Sequence, residues 1–183
     1  VDGIARERDL LRDVRGEADL VIDTTRLNVH ELRAKIVSAF ADASEPGLRA
    51  TVVSFGYKYG LPVDADLVVD CRFLPNPHWI PELRPLSGRD PQVRDYVLGQ
   101  PGALEFLDGY GSLLQLVVDG YRREGKRYLT LAVGCTGGKH RSVAIAEELA
   151  GRLRDLGSAR GESGENAGGC IEVQVTHRDL GRE

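Results

Sequence analysis

The chain has 183 residues, of which 42% are hydrophobic and 28% charged, with a formal net charge of −4. That is enough chain for one full domain plus a remnant, and the acidic balance excludes a global electrostatic pull toward nucleic acid. No apolar run approaches the ~18 residues of a membrane span and no signal peptide is visible, so a cytoplasmic location with no membrane partner is expected. Three cysteines, at 71, 135 and 170, lack metal-ligand spacing; no metal site is expected, and the odd count argues for free thiols in a reducing compartment.

Residues 4–14 repeat apolar side chains at helical spacing among many charges, which predicts an exposed amphipathic helix. Residues 18–22 (ADLVI) read as a short buried strand. Asn28, with Glu31 at the capping-box position, predicts a helix to about residue 41. Residues 43–47 (ASEPG) carry both breakers and mark the expected boundary. Strands are expected at 50–55 and 67–71, then a proline-rich loop over 74–91. Helices follow near 91–98 and 103–124, the second with apolar residues at 106, 107, 110, 113, 114, 117 and 118. A strand at 128–133, a helix to about 156, a glycine-rich flexible insertion at 157–169 and an alternating strand at 171–175 complete the pattern. Strands separated by helical segments imply an α/β fold, a mostly parallel sheet flanked by helices.

Between the strand at 128–133 and the helix after it lies Gly134-Cys135-Thr136-Gly137-Gly138-Lys139-His140-Arg141-Ser142. A strand, a small-residue loop and a helix start make an anion site, because loop N–H groups and the helix dipole converge. The loop adds Lys139, His140 and an Arg141 fork, all suited to phosphate oxygens. A Walker A loop is excluded: His140 follows Gly138-Lys139, and Val133 stands where the first glycine belongs. The run fits Cys-x5-Arg-Ser, the signature of cysteine-dependent phosphatases, with Cys135 as nucleophile and Arg141 stabilising the phosphoryl group. Asp70 or His78 would then supply the acid. It fits equally a loop of that geometry that binds phosphate without cleaving it, and a plain βα turn is the bland alternative. Between Arg122 and Arg141, six cations (Arg122, Arg123, Lys126, Arg127, Lys139, Arg141) face Glu124 alone, a basic segment around the loop.

Asp70, Arg72, Asn76 and His78 follow the strand at 67–71 and form a second constellation on the same sheet edge. His78 suits a sugar or phosphate oxygen; the alternative is a proline-stiffened loop with His78 and Trp79 packed beneath it. Lys58 is a third cation for the pocket or a solvated lysine between two tyrosines. His30 and His177 read as surface or cap residues, Cys71 as a small buried hydrophobe, and Cys170 sits in glycine-rich sequence.

Three motifs, GCTGGKHRSV at 134–143, VDCRFLPNPHW at 69–79 and SFGYKYG at 54–60, resemble the RapZ/YvcJ nucleotide-binding family of bacteria, in that family's order. The resemblance runs over nearly the whole chain. It implies that residues 1–45 are the tail of an N-terminal P-loop NTPase domain and that residues 46–183 are a C-terminal metabolite-binding domain. The Walker A segment would lie upstream, and the absence of Met, even at position 1, points to a fragment of a longer protein.

By resemblance, the upstream domain binds and slowly hydrolyses ATP or GTP with Mg, while this fragment holds no cofactor and is not an enzyme. Its C-terminal domain is expected to sense a phosphorylated amino sugar such as glucosamine-6-phosphate and to regulate amino-sugar and cell-wall precursor metabolism. The expected ligand contacts are Cys135, Thr136, Gly137, Gly138, Lys139, His140, Arg141 and Ser142, with His78, Arg72, Asp70, Asn76 and Lys58 around them. UDP-N-acetylglucosamine is the alternative ligand. Small RNA is a further partner of enterobacterial members, and self-association into a homo-oligomer is a family trait; the mixed-charge end of this chain, residues 177–183, fits RNA less well.

Overall fold

The computed structural model describes residues 2–40, 48–158 and 171–182. They form two compact units, residues 1–41 and 42–183. The first holds α1 (Asp2–Leu10), α2 (Arg12–Glu17) and α3 (Val29–Phe40). The helix expected over 4–14 is broken at Leu11, and residues 18–22 run irregularly rather than as a strand. The predicted capping box forms: Asn28 N–H donates to Glu31 Oε2 at 2.8 Å and Glu31 N–H to Asn28 Oδ1 at 2.9 Å. Ile4, Leu10, Leu11, Val14 and Phe40 stand exposed in this unit.

The second unit carries β1 (Leu48–Gly56), β2 (Leu67–Asp70), α4 (Pro91–Leu98), α5 (Ala103–Arg123), β3 (Tyr128–Cys135), α6 (Arg141–Ser158) and β4 (Ile171–His177). Its four strands are all parallel in the order β2-β3-β1-β4, so the expected α/β sheet is present. The two central strands are largely apolar, and both are continuously buried toward their C-terminal ends, β1 over its last three residues and β3 over its last five. Edge strand β4 instead alternates, with Glu172, Gln174 and Thr176 exposed. Helix α6 packs on β1, β3 and β4, and α4 and α5 pack on α6. On α5, Ala103, Leu107, Leu114 and Val118 are buried, while Leu113, expected in the apolar stripe, is exposed. The predicted boundary at 43–47 and most of the predicted insertion at 157–169, with Cys170, lie outside the described residues; Gly157 and Ser158 finish α6. No helix among the described residues is long and apolar enough to cross a membrane.

The register brings Gly56 opposite Cys135, Asp70 opposite Gly134 and Ser54 opposite His177. Four strand ends therefore meet on one edge, where ligands of parallel sheets bind. The same geometry divides the basic segment. Arg122 to Arg127 precede β3 and Lys139 and Arg141 follow it, so an eight-residue strand, about 26 Å long, separates the two groups. Lys126 is moreover paired with Asp66 at 2.6 Å. The six cations are not one patch around the loop, because sequence neighbours across a strand are its opposite ends.

Candidate functional site: a phosphate cradle at the sheet edge

β3 delivers Cys135 to the sheet edge, and the chain turns through Thr136, Gly137, Gly138, Lys139 and His140 into α6. Cys135 is only 3% exposed. Its Sγ accepts the Gly138 N–H at 3.2 Å and lies 3.2 Å from Ser142 Oγ. Gly138 takes φ +80°, a value that favours glycine. The loop thus curls over its own cysteine, with the first turn of α6 behind it.

Arg141 is buried. Its Nη1 donates to the carbonyls of Arg72 (3.1 Å) and Leu74 (2.9 Å), and its Nη2 reaches Thr136 Oγ1 at 3.3 Å. Its Nε is buried and has no hydrogen-bond partner among the described residues. Nε and Nη2 form one edge of the guanidinium fork, the edge that elsewhere grips Asp70 from Arg72. In Arg141 that edge meets the cradle at Thr136, while the remaining nitrogen ties down the loop after β2.

The other predicted cations divide. Lys58 N–H donates to Thr136 O at 3.2 Å, and the Lys58 ammonium lies beside Gly137, where a Cβ would be 3.9 Å from Nζ. Lys139 Nζ and His140 Nε2 sit 3.1 and 3.3 Å from Arg84 O. A carbonyl only accepts, so in this contact Nε2 carries the His140 proton. Asp70 and Arg72 form a two-pronged ion pair at the cradle's flank, and Arg72 lies over the Tyr57 ring at 3.9 Å. The Arg72 bonds hold the Asp70 carboxyl below its ordinary pKa, so it is ionised at neutral pH. It is therefore poorly suited to the acid role that a phosphatase would ask of it. Cys71 donates its thiol to Gly134 O at 3.0 Å; burial pushes that thiol's pKa well above its ordinary value, and the neighbouring Cys135 adds to the push. Asn76 caps the turn Pro77–Trp79 through the His78 N–H, and the His78 ring lies 6.4 Å from that of His140. Trp79 is exposed, against the alternative that packed it beneath its loop.

Sequence reasoning missed the supports behind the cradle. Gly56 approaches it so closely that a Cβ would lie 2.6 Å from Gly137 C. The Gly56 N–H is held at 2.9 Å by Asp179, a fully buried carboxylate that also accepts from Arg178 and Arg182. On the far side Gly88 donates to Lys139 O, and a Cβ there would stand 2.2 Å from His140 O. The side chain of His177, read as a surface or cap residue, is buried between Ser54 Oγ (2.8 Å) and Glu147 Oε1 (3.0 Å). Gly56 and Ser54 lie in the 54–60 motif, but Gly88, His177 and Asp179 lie in none, and only strand pairing brings 177–179 back to 54–56. Among the described residues no group of three or more His, Cys, Asp or Glu is arranged to hold a metal.

Residues 48–181 match the model of the RapZ C-terminal domain, and residues 1–44 that of the RapZ-like N-terminal domain. The chain belongs to the RapZ family. It is 75% identical over its whole length to a protein of Acidothermus cellulolyticus, 66% to one of Thermobifida fusca and 68% to one of Streptomyces griseus, each named "Nucleotide-binding protein". It covers 56%, 58% and 51% of those proteins, so it spans little more than half the length of the RapZ-family relatives it matches. In this RapZ-family chain the cradle, the Asp70–Arg72 flank and the Asn76–Trp79 turn all lie within the stretch that the C-terminal model matches.

Proposed function

We propose that this chain is the metabolite-sensing part of a RapZ-type regulator, and that residues 135–142 cradle the phosphate of a small metabolite. The observation that carries the reading is Arg141 Nε, a buried donor without a partner among the described residues, on the guanidinium edge that meets the cradle. A buried unpaired donor is costly, and a phosphate oxygen satisfies it with a charge-assisted bond. Loop N–H groups and the start of α6 supply the rest of an anion site. The ligand class is a phosphorylated amino sugar, glucosamine-6-phosphate or one like it, with Lys58, Arg72, Asp70, Asn76 and His78 as neighbours. UDP-N-acetylglucosamine is the alternative, and direct competition tells the two apart.

The relatives' name supports a nucleotide site in the whole protein. The run at 134–142 is not a Walker A loop, so the site for ATP or GTP with Mg is proposed to lie upstream. Residues 1–45 are read as the last part of its domain, and the exposed Ile4, Leu10, Leu11, Val14 and Phe40 would pack within the rest of it. Control of amino-sugar metabolism, a cytoplasmic location, homo-oligomerisation and RNA binding are proposed from family membership. The division of the basic segment by β3 weakens the RNA reading.

Calorimetric titration with glucosamine-6-phosphate, in wild type and Arg141→Ala, tests the proposal. Binding that the folded variant loses supports it, and equal binding to both overturns the role of Arg141. The phosphatase reading draws on the Cys135 thiol at the cradle floor, within reach of Ser142. Turnover of an aryl phosphate that disappears in Cys135→Ser would establish it.

A further inference from the structure

Trp79 is the chain's one tryptophan, and 74% of it is exposed to solvent. It does not sit on a loose loop. Pro77 opens its turn with a fixed φ, and Asn76 Oδ1 accepts the His78 N–H. The Trp79 N–H bonds Asn76 O at 3.2 Å and the Ile80 N–H bonds Pro77 O at 3.0 Å. Pro77 is buried and Ile80 packs on the core. Anchors on both sides therefore hold the indole out in water, where a large apolar ring gains nothing from burial.

The turn is bolted to the cradle. Arg84 Nε donates to His78 O at 2.9 Å, and Arg84 O receives Lys139 Nζ and His140 Nε2. The His78 ring stands edge-on to Trp79 at 5.4 Å and to His140 at 6.4 Å. A single imidazole thus separates the exposed indole from a residue of the cradle.

We propose that Trp79 is the stacking platform for the sugar ring of a phosphosugar whose phosphate occupies the cradle, with His78 bonding a ring hydroxyl. This rests on the phosphate reading above. In the phosphorylated amino sugar proposed above the phosphate ester sits on a sugar ring, and the C–H face of that pyranose suits an indole face while its hydroxyls point to water and to His78. The neighbouring polar groups are already engaged: Asp70 by Arg72, and Asn76 Oδ1 by the turn it caps. Trp79 and His78 add one flat face and one imidazole to that set.

The lone indole is its own reporter. The chain is titrated with inorganic phosphate, glucosamine-6-phosphate and uridine monophosphate, with emission and heat both recorded. Glucosamine-6-phosphate should change the emission, and inorganic phosphate should compete with it while leaving the emission unchanged. By calorimetry Trp79→Ala should bind inorganic phosphate as wild type does and glucosamine-6-phosphate about tenfold more weakly, with Trp79→Phe recovering part of the loss. Glucosamine-6-phosphate that binds without altering emission overturns the inference. So does an equal loss of both ligands in Trp79→Ala, which marks a structural role. A response to uridine monophosphate alone overturns the sugar in favour of a base. If neither inorganic phosphate nor glucosamine-6-phosphate binds wild type at all, the phosphate reading itself fails and takes this inference with it.

Discussion

Gly56→Ala isolates the close approach on which the cradle depends. Gly56 has φ −105° and ψ 125°, extended backbone open to any residue, so alanine brings no torsional strain there. Its Cβ would stand 2.6 Å from Gly137 C, 2.8 Å from Gly137 O and 2.9 Å from Gly138 N. Carbon atoms prefer ~3.5–4.0 Å, and all three neighbours are backbone, so no side chain can swing aside. Gly56 cannot retreat cheaply either, because Asp179 holds its N–H and β1 is paired on both sides. The cradle peptide must move. Overpacking of this kind costs about 1–3 kcal/mol, which should appear as a lower urea midpoint. The displaced Gly137–Gly138 peptide should also cost phosphate affinity, about tenfold for each 1.4 kcal/mol of lost binding energy. Gly60→Ala is the control. It has φ +84° and open space around it, so it should lose roughly 1 kcal/mol of stability with phosphate affinity intact. Wild-type phosphate affinity in Gly56→Ala, measured by calorimetry, would refute the reasoning.

Burial holds the His177 pKa below the ordinary imidazole value of 6.5, against the opposing pull of its Glu147 bond. The unfolded chain therefore binds the extra proton first, so this contribution is complete above about pH 6.5 and declines as pH falls toward the lower folded value. Urea midpoints from pH 5 to 8 should show that slope, flattened in His177→Gln; an unchanged slope assigns it elsewhere. Asp179→Ala strips a fully buried carboxylate from the Gly56 N–H, Arg178 and Arg182. It should cost about 3 kcal/mol, toward the low end for a broken buried pair because both arginines reach solvent. A loss under about 1 kcal/mol by denaturant titration would make Asp179 dispensable.

The cradle itself was legible because its information is local. Strand, small-residue loop, cations and helix start fall in one run of sequence, and Gly138 needed no partner to be read as a turn. The parallel sheet followed from the alternation of β-branched runs with helical periods. What escaped the sequence depends on pairing. Asp179 and His177 look like members of a mixed-charge tail until β4 is laid beside β1, and Gly56 looks like the end of a strand until β3 is its neighbour. The strand read at 18–22 failed because a short apolar run carries no sign of a sheet to join. The direction of Trp79 was left open between two readings, because prolines fix a turn but not the way its side chain faces.

The supports of the cradle come from distant parts of the chain: Gly56, the loop after β2, the Arg84–Gly88 stretch, the loop before α6, and Asp179. Asp179 and Gly56 are separated by 123 positions, and Cys71 and Gly134 by 63. No fragment carries a partial version of the site, and long-range closures of this kind form late and together in folding. Occupancy and global foldedness are then thermodynamically linked, so a bound phosphate raises the cost of opening the whole sheet. Amide hydrogens in β4, with no contact to the ligand, should exchange more slowly when it binds.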